Sequence, residues 1–97
     1  MANDAEQSPE RRVVHYSGRV QGVGFRFTAR GYAERFRVPG FVENLADGRV
    51  RMVVEDVPTK LDQLLQAIAE EMDRFIRNTD VEVLPSRGEF HDFQIRR

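Results

Sequence analysis

Leu61, Leu64, Leu65, Ile68, Met72, Phe75 and Ile76 recur at three- and four-residue steps, while Asp62, Glu70, Glu71, Asp73 and Arg74 fall on the opposite side. That period predicts a helix with one apolar face, which must lie on a second apolar surface. Phe25, Ala29, Tyr32, Ala33 and Phe36 repeat the pattern and predict another helix over residues 25–35. Between and around these stripes the apolar period changes from helical to alternating. Val50, Met52 and Val54 alternate with Arg49, Arg51 and Glu55, and Val81 and Val83 alternate with Asp80 and Glu82. Alternation of this kind predicts strands with one buried face.

Strands are expected at 12–19, 40–45, 49–55 and 79–85, with a short last one at 92–96 carrying Phe93 and Ile95. Pro39-Gly40 is expected to stop the first helix. Asp47-Gly48 supplies the positive backbone angles of a hairpin loop at 46–48. Pro58 and Thr59 suit a helix start, with Asp62 completing a short-armed capping box. The resulting order is β-α-β-β-α-β plus a short C-terminal strand. An α+β ferredoxin-like sandwich follows, an antiparallel sheet with both helices on one face. That layout hosts RNA binders and regulatory domains as well as enzymes, so function has to come from a site.

The chain has 97 residues, enough for one domain that buries roughly two-thirds of its unfolded surface. Residues 1–10 are small, polar and Pro-containing and are expected to form a disordered tail, leaving 11–97 as the domain. With no cysteine, disulfides, a thiolate nucleophile and cysteine-bound zinc are excluded. No leader-like or membrane-spanning apolar run is present, so a cytoplasmic location without membrane contact is expected. The net charge of −1 hides an asymmetry. Residues 11–37 hold seven arginines and one acid, Glu34, whereas 55–73 hold six acids and one base, Lys60. Two solvated faces would account for this, and so would a positive field focused on an anionic ligand.

The stretch SGRVQGVGFRFT, residues 17–28, favours the ligand. It runs from strand through Gly22 and Gly24 into the start of a helix, where unpaired N–H groups converge on an anion. Arg26 follows at once and offers a two-pronged guanidinium to phosphate oxygens. A cation in a first helical turn conflicts with the helix dipole, a local conflict expected where function imposes it. Backbone N–H groups of Gln21, Gly22, Val23, Gly24, Phe25 and Arg26 would form the rest of a phosphate cradle. The P-loop pattern GxxxxGKS/T is absent, and Phe27 stands where a dinucleotide loop needs its third small residue.

Gly18, Arg19, Val20, Gln21, Gly22, Val23, Phe25 and Arg26 match the GRVQGVxFR loop of the acylphosphatase family, which the chain closely resembles. A second family element, GxVxN, stands at residues 40–44, followed by Asp47, Gly48 and Val50 as the usual DG-V. The resemblance extends over residues 13–95. Phe36-Arg37-Val38-Pro39 and Phe41 depart from the family pattern, off the expected chemistry. The resemblance implies hydrolysis of small acyl phosphates, with Arg26 binding the phosphate and Asn44 positioning the attacking water. From its own neighbourhood Asn44 reads equally as a turn residue; its carboxamide could also accept from and donate to a water.

Attack of water at phosphorus expels a carboxylate whose conjugate acid has a pKa of roughly 4, so the leaving group needs no proton. The expected enzyme therefore needs no general acid, metal or organic cofactor, only a cradle and a positioned water. Its partners would be a small-molecule acyl phosphate and inorganic phosphate as product and inhibitor, with the protein a monomer. His15 and His91 are expected to be structural or surface residues, and Thr28 has no clear part. The alternative is a non-catalytic module of the same fold that binds phosphate or nucleic acid. An RNA-recognition domain would carry an aromatic run on a central strand, and RVRMVVE has none, so no nucleic-acid partner is expected.

Overall fold

The computed structural model describes residues 7–97. Its order is β1 (Glu10–Gly18), α1 (Phe25–Phe36), β2 (Gly40–Asn44), β3 (Val50–Asp56), α2 (Pro58–Glu71), β4 (Ile76–Pro85) and β5 (Phe93–Arg96). The five strands form one sheet in the order β4-β1-β3-β2-β5. The first four pair antiparallel, as expected, but β5 runs parallel to β2, so the sheet is mixed. The reason is the path of residues 86–92. They cross from one edge of the sheet to the other along its lower end, where β1 and β2 begin and β3 ends, and β5 must then run upward beside β2.

Val14 and Tyr16 of β1, Val42 of β2 and Val50, Met52 and Val54 of β3 turn inward against the helices. Phe25, Ala29 and Ala33 of α1 and Leu61, Leu64 and Ile68 of α2 meet them, and all are buried. At roughly 1.5–3 kcal/mol for each large apolar side chain, this layer is the main source of stability.

Three local expectations are corrected. Helix α2 ends at Glu71 with Met72 as its C-cap, so Phe75 and Ile76 are not helical. A turn at 72–75 redirects the chain to β1, where Ile76 pairs with Gly18, and both side chains still reach the core. Val81 and Val83 share the sheet face of their partners Val14 and Arg12 yet are 46% and 58% exposed, because β4 is an edge strand beyond the reach of the helix layer. The Thr59–Asp62 capping box does not form. The N-cap is Val57, the Thr59 N–H donates to Gln7 Oε1 at 3.1 Å, and Asp62 accepts from Arg12 Nη1 at 2.7 Å.

The expected tail lies outside the described residues over 1–6; beyond it, Gln7 touches α2 and Glu10 opens β1. Helix α1 stops before Pro39-Gly40. Arg37 takes the left-handed conformation usually given to glycine, at φ 59°, and its N–H bonds the Glu34 carbonyl.

The lower end of the sheet is held by one carboxylate. Glu55, 5% exposed, accepts from Arg11 Nε at 2.7 Å, Ser86 Oγ at 3.2 Å and the N–H groups of Arg87 and Gly88, each at 2.9 Å. These bonds anchor the crossing segment before Phe90 packs edge-on against Phe41. Burial alone would raise the Glu55 carboxyl pKa. The Arg87 N–H, the Arg11 guanidinium and its charge, and the Gly88 N–H together outweigh burial and hold it below its ordinary value of 4.5. The stability this group contributes is therefore complete above about pH 4.5 and is lost as pH falls through the lower folded value. Glu55→Gln should flatten the acid limb of a stability–pH curve below that point. Glu55→Ala should destabilise by about 3 kcal/mol at neutral pH in urea unfolding, because Arg11 keeps only its Glu89 partner and the Arg87 and Gly88 N–H groups lose their acceptor. An unchanged acid limb in Glu55→Gln would show that the carboxylate is not the anchor.

Candidate active site

At the upper end of the sheet, β1 leaves at Gly18 and the chain loops to Gly24, the N-cap of α1. Gly18 is required by close approach: a Cβ there would stand 2.4 Å from the Phe75 carbonyl oxygen. Gly22 and Gly24 are required by conformation, with φ of 78° and 81°. Val20 and Phe25 are buried, pinning the loop to the core on either side of these glycines, and the Phe25 ring sits 4.7 Å from that of Tyr16.

Among the described residues, none of the backbone N–H groups from 21 to 27 donates to a protein acceptor. Helix α1 has no side-chain cap and no acid in its first turn, so nothing offsets the positive end of its dipole. Arg26 is half-buried in that turn. Its Nη1 makes one long hydrogen bond, 3.4 Å, to the Arg96 carbonyl at the end of β5.

Asn44 closes β2 opposite Val50. Its Oδ1 is buried and has no hydrogen-bond partner, a state shared among the described residues only by the Tyr16 hydroxyl in the core. Gly22, Gly24, Phe25, Arg26 and Asn44, with Val20 and Phe27, line a single cavity of about 160 Å³. The loop and the strand end expected from the sequence therefore meet in one place.

Gln21 and Val23 do not line that cavity. Val23 packs against the core, and Gln21 has a different task. Its Nε2 donates to the Leu45 carbonyl at 2.8 Å and the Arg49 carbonyl at 2.9 Å, bridging the base of the β2–β3 hairpin. The same two residues close the hairpin through Leu45 N–H to the Arg49 carbonyl at 2.8 Å. Gln21 thus ties the cradle loop to the residue following Asn44. Neither this tie nor the Arg96 carbonyl is visible in any spacing, because each spans a long stretch of sequence.

His15 lies on β1 and His91 in the crossing segment, both away from the cavity, and Thr28 makes no side-chain hydrogen bond among the described residues. No three of the described His, Asp and Glu residues converge as metal ligands would. Gln21→Ala should destabilise by about 1 kcal/mol through two lost hydrogen bonds to half-buried carbonyls, and should weaken phosphate binding without touching a cavity-lining side chain. Unchanged phosphate affinity in a folded Gln21→Ala protein would show that the clamp does not position the loop.

The acylphosphatase family model matches residues 12–95. The acylphosphatase of Rubrobacter xylanophilus is 37% identical over 94 residues, covering 96% of this chain and 86% of that protein. That of Salinibacter ruber is 37% identical over 94 residues, covering 95% and 99%. The solved structure of an acylphosphatase from Coxiella burnetii superposes with a TM-score of 0.80 at 27% identity, over 99% of this chain and all of that one. With the family model matching residues 12–95 and relatives 37% identical over nearly its whole length, the chain belongs to the acylphosphatase family.

Proposed function

We propose that this protein hydrolyses the carboxyl–phosphate bond of small acyl phosphates by in-line attack of water, without a metal or organic cofactor. One observation carries the reading: Arg26, loop residues whose N–H groups have no protein acceptor, and Asn44, whose Oδ1 has no partner, line one small cavity. The free N–H groups of Gly22, Gly24, Phe25, Arg26 and Phe27, all cavity-lining residues, and the Arg26 guanidinium suit phosphoryl oxygens, which only accept. The Asn44 Oδ1 suits nothing anionic, since two acceptors repel; it suits a proton of water. Donors therefore hold the phosphoryl group while the acceptor orients the nucleophile. The carboxylate leaves unprotonated, so the absence of an acid from the lining is consistent with the chemistry.

The alternative, a binding module without turnover, is not favoured. No aromatic lies on β3 to stack a base, and on the neighbouring β2 Phe41 is covered by Phe90 and by the Arg96 guanidinium at 3.6 Å. We also read the protein as a cytoplasmic monomer over residues 11–97, since one chain supplies every residue of the cavity. No helix among the described residues is long and apolar enough to cross a membrane. Light scattering should give 11.3 kDa at micromolar concentration, and a dimer mass would overturn the monomer.

Arg26→Ala should abolish turnover of benzoyl phosphate, and Arg26→Lys should not restore it, because a point charge lacks the two-pronged geometry. Near-normal kcat/KM in Arg26→Lys would refute that role. Asn44→Ala should lower kcat by roughly a hundred- to a thousandfold while the inhibition constant of inorganic phosphate barely changes. Should phosphate affinity fall as far as the rate, Asn44 holds the substrate instead of the water. Turnover should survive EDTA; loss that Mg²⁺ restores would overturn the metal-free route.

A further inference from the structure

The cradle places the phosphoryl half of an acyl phosphate and leaves the acyl half without a seat. The cavity holds about 160 Å³. A phosphoryl group on the amides and a water on Asn44 are the first occupants of that space. In-line displacement also sets the departing oxygen on the side away from the water. The acyl group must therefore run out across the cavity lining, towards whatever surface the lining offers.

That surface is limited. Val20 and Phe25 are buried, Gly22 and Gly24 have no side chains, and Arg26 is charged. Phe27 remains, 63% exposed in the first turn of α1. Single exposed aromatics are common and need no explanation, but this one lines the phosphate cavity. Among the described residues the other large exposed hydrophobics, Val81 and Val83, lie on the β4 edge. The Arg30 guanidinium stands 5.3 Å from the Phe27 ring centroid, one turn along α1, and steadies the ring.

We propose that Phe27 is the platform for the acyl group and determines specificity, favouring acyl phosphates with an aromatic or extended apolar acyl group over acetyl phosphate. The proposal rests on the hydrolase reading above. The test is the ratio of kcat/KM for benzoyl phosphate to that for acetyl phosphate, in wild type, Phe27→Ala and Phe27→Tyr.

Stacking of the size seen between aromatic groups predicts about a tenfold fall of this ratio in Phe27→Ala. The loss should lie mostly in KM for benzoyl phosphate and should exceed any loss for acetyl phosphate, because the substitution removes the ring and keeps the Phe27 N–H. Phe27→Tyr should keep the wild-type ratio. The melting temperature of Phe27→Ala should stay near wild type, since the ring is largely in solvent. An unchanged ratio in Phe27→Ala, or equal losses for both substrates, overturns the platform while leaving the hydrolase reading intact. Failure of the wild-type protein to hydrolyse either substrate overturns the hydrolase reading and the platform with it.

Discussion

A row of backbone N–H groups without acceptors is unstable as a bare loop, because each would find a partner if the chain could move. In this protein the loop over 18–24 is held from outside. The buried side chains of Val20 and Phe25 bracket the two glycines, and Gly18 sits hard against the turn that leads into β4. The Gln21 carboxamide fastens the loop to two carbonyls of the β2–β3 hairpin. The donors stay free because the side chains around them are committed. This is preorganisation in a simple form: the dipoles are oriented during folding, so binding an anion need not reorient them.

The molecule separates stability from chemistry along its length. At the lower end, Glu55 gathers Arg11, Ser86 and two N–H groups, and every donor it meets is protein. At the upper end the arrangement is inverted, with donors and an acceptor that lack protein partners on residues lining a cavity. The two ends are joined by β5, whose start is fixed where Gly40 N–H meets the Asp92 carbonyl at 2.9 Å. Its far end offers the Arg96 carbonyl to Arg26. A strand that is minor in area therefore carries the lower anchor to the guanidinium of the site.

The site was legible in the sequence where its chemistry demands rare residue types in a fixed order. Two glycines between a strand and a helix, an arginine where a helix disfavours one, and an asparagine at a strand end cannot easily be exchanged. The two amphipathic stripes were legible for a similar reason, since one-sided burial forces a period. Features that depend on distant neighbours were hidden. Nothing in the alternation of Val81 and Val83 says that β4 lies beyond the helix layer. Apolar phase runs on through Phe75 and Ile76 although the helix has ended, because both still need the core. The parallel direction of β5 follows from the route of residues 86–92, which Glu55 fixes from another strand. The clamp made by the Gln21 side chain was hidden for the same reason, since its partners lie 24 and 28 residues away.

The proposed anion site is the row of free amides in the loop. Titrating ¹⁵N-labelled protein with inorganic phosphate tests this most directly. Saturable downfield shifts of the amide protons of residues 21–27, absent with chloride at equal ionic strength, are the predicted result. Shifts confined instead to Arg19, Arg74 and Arg77, which line a separate basic cavity beside Gly18, would place the anion elsewhere and contradict it.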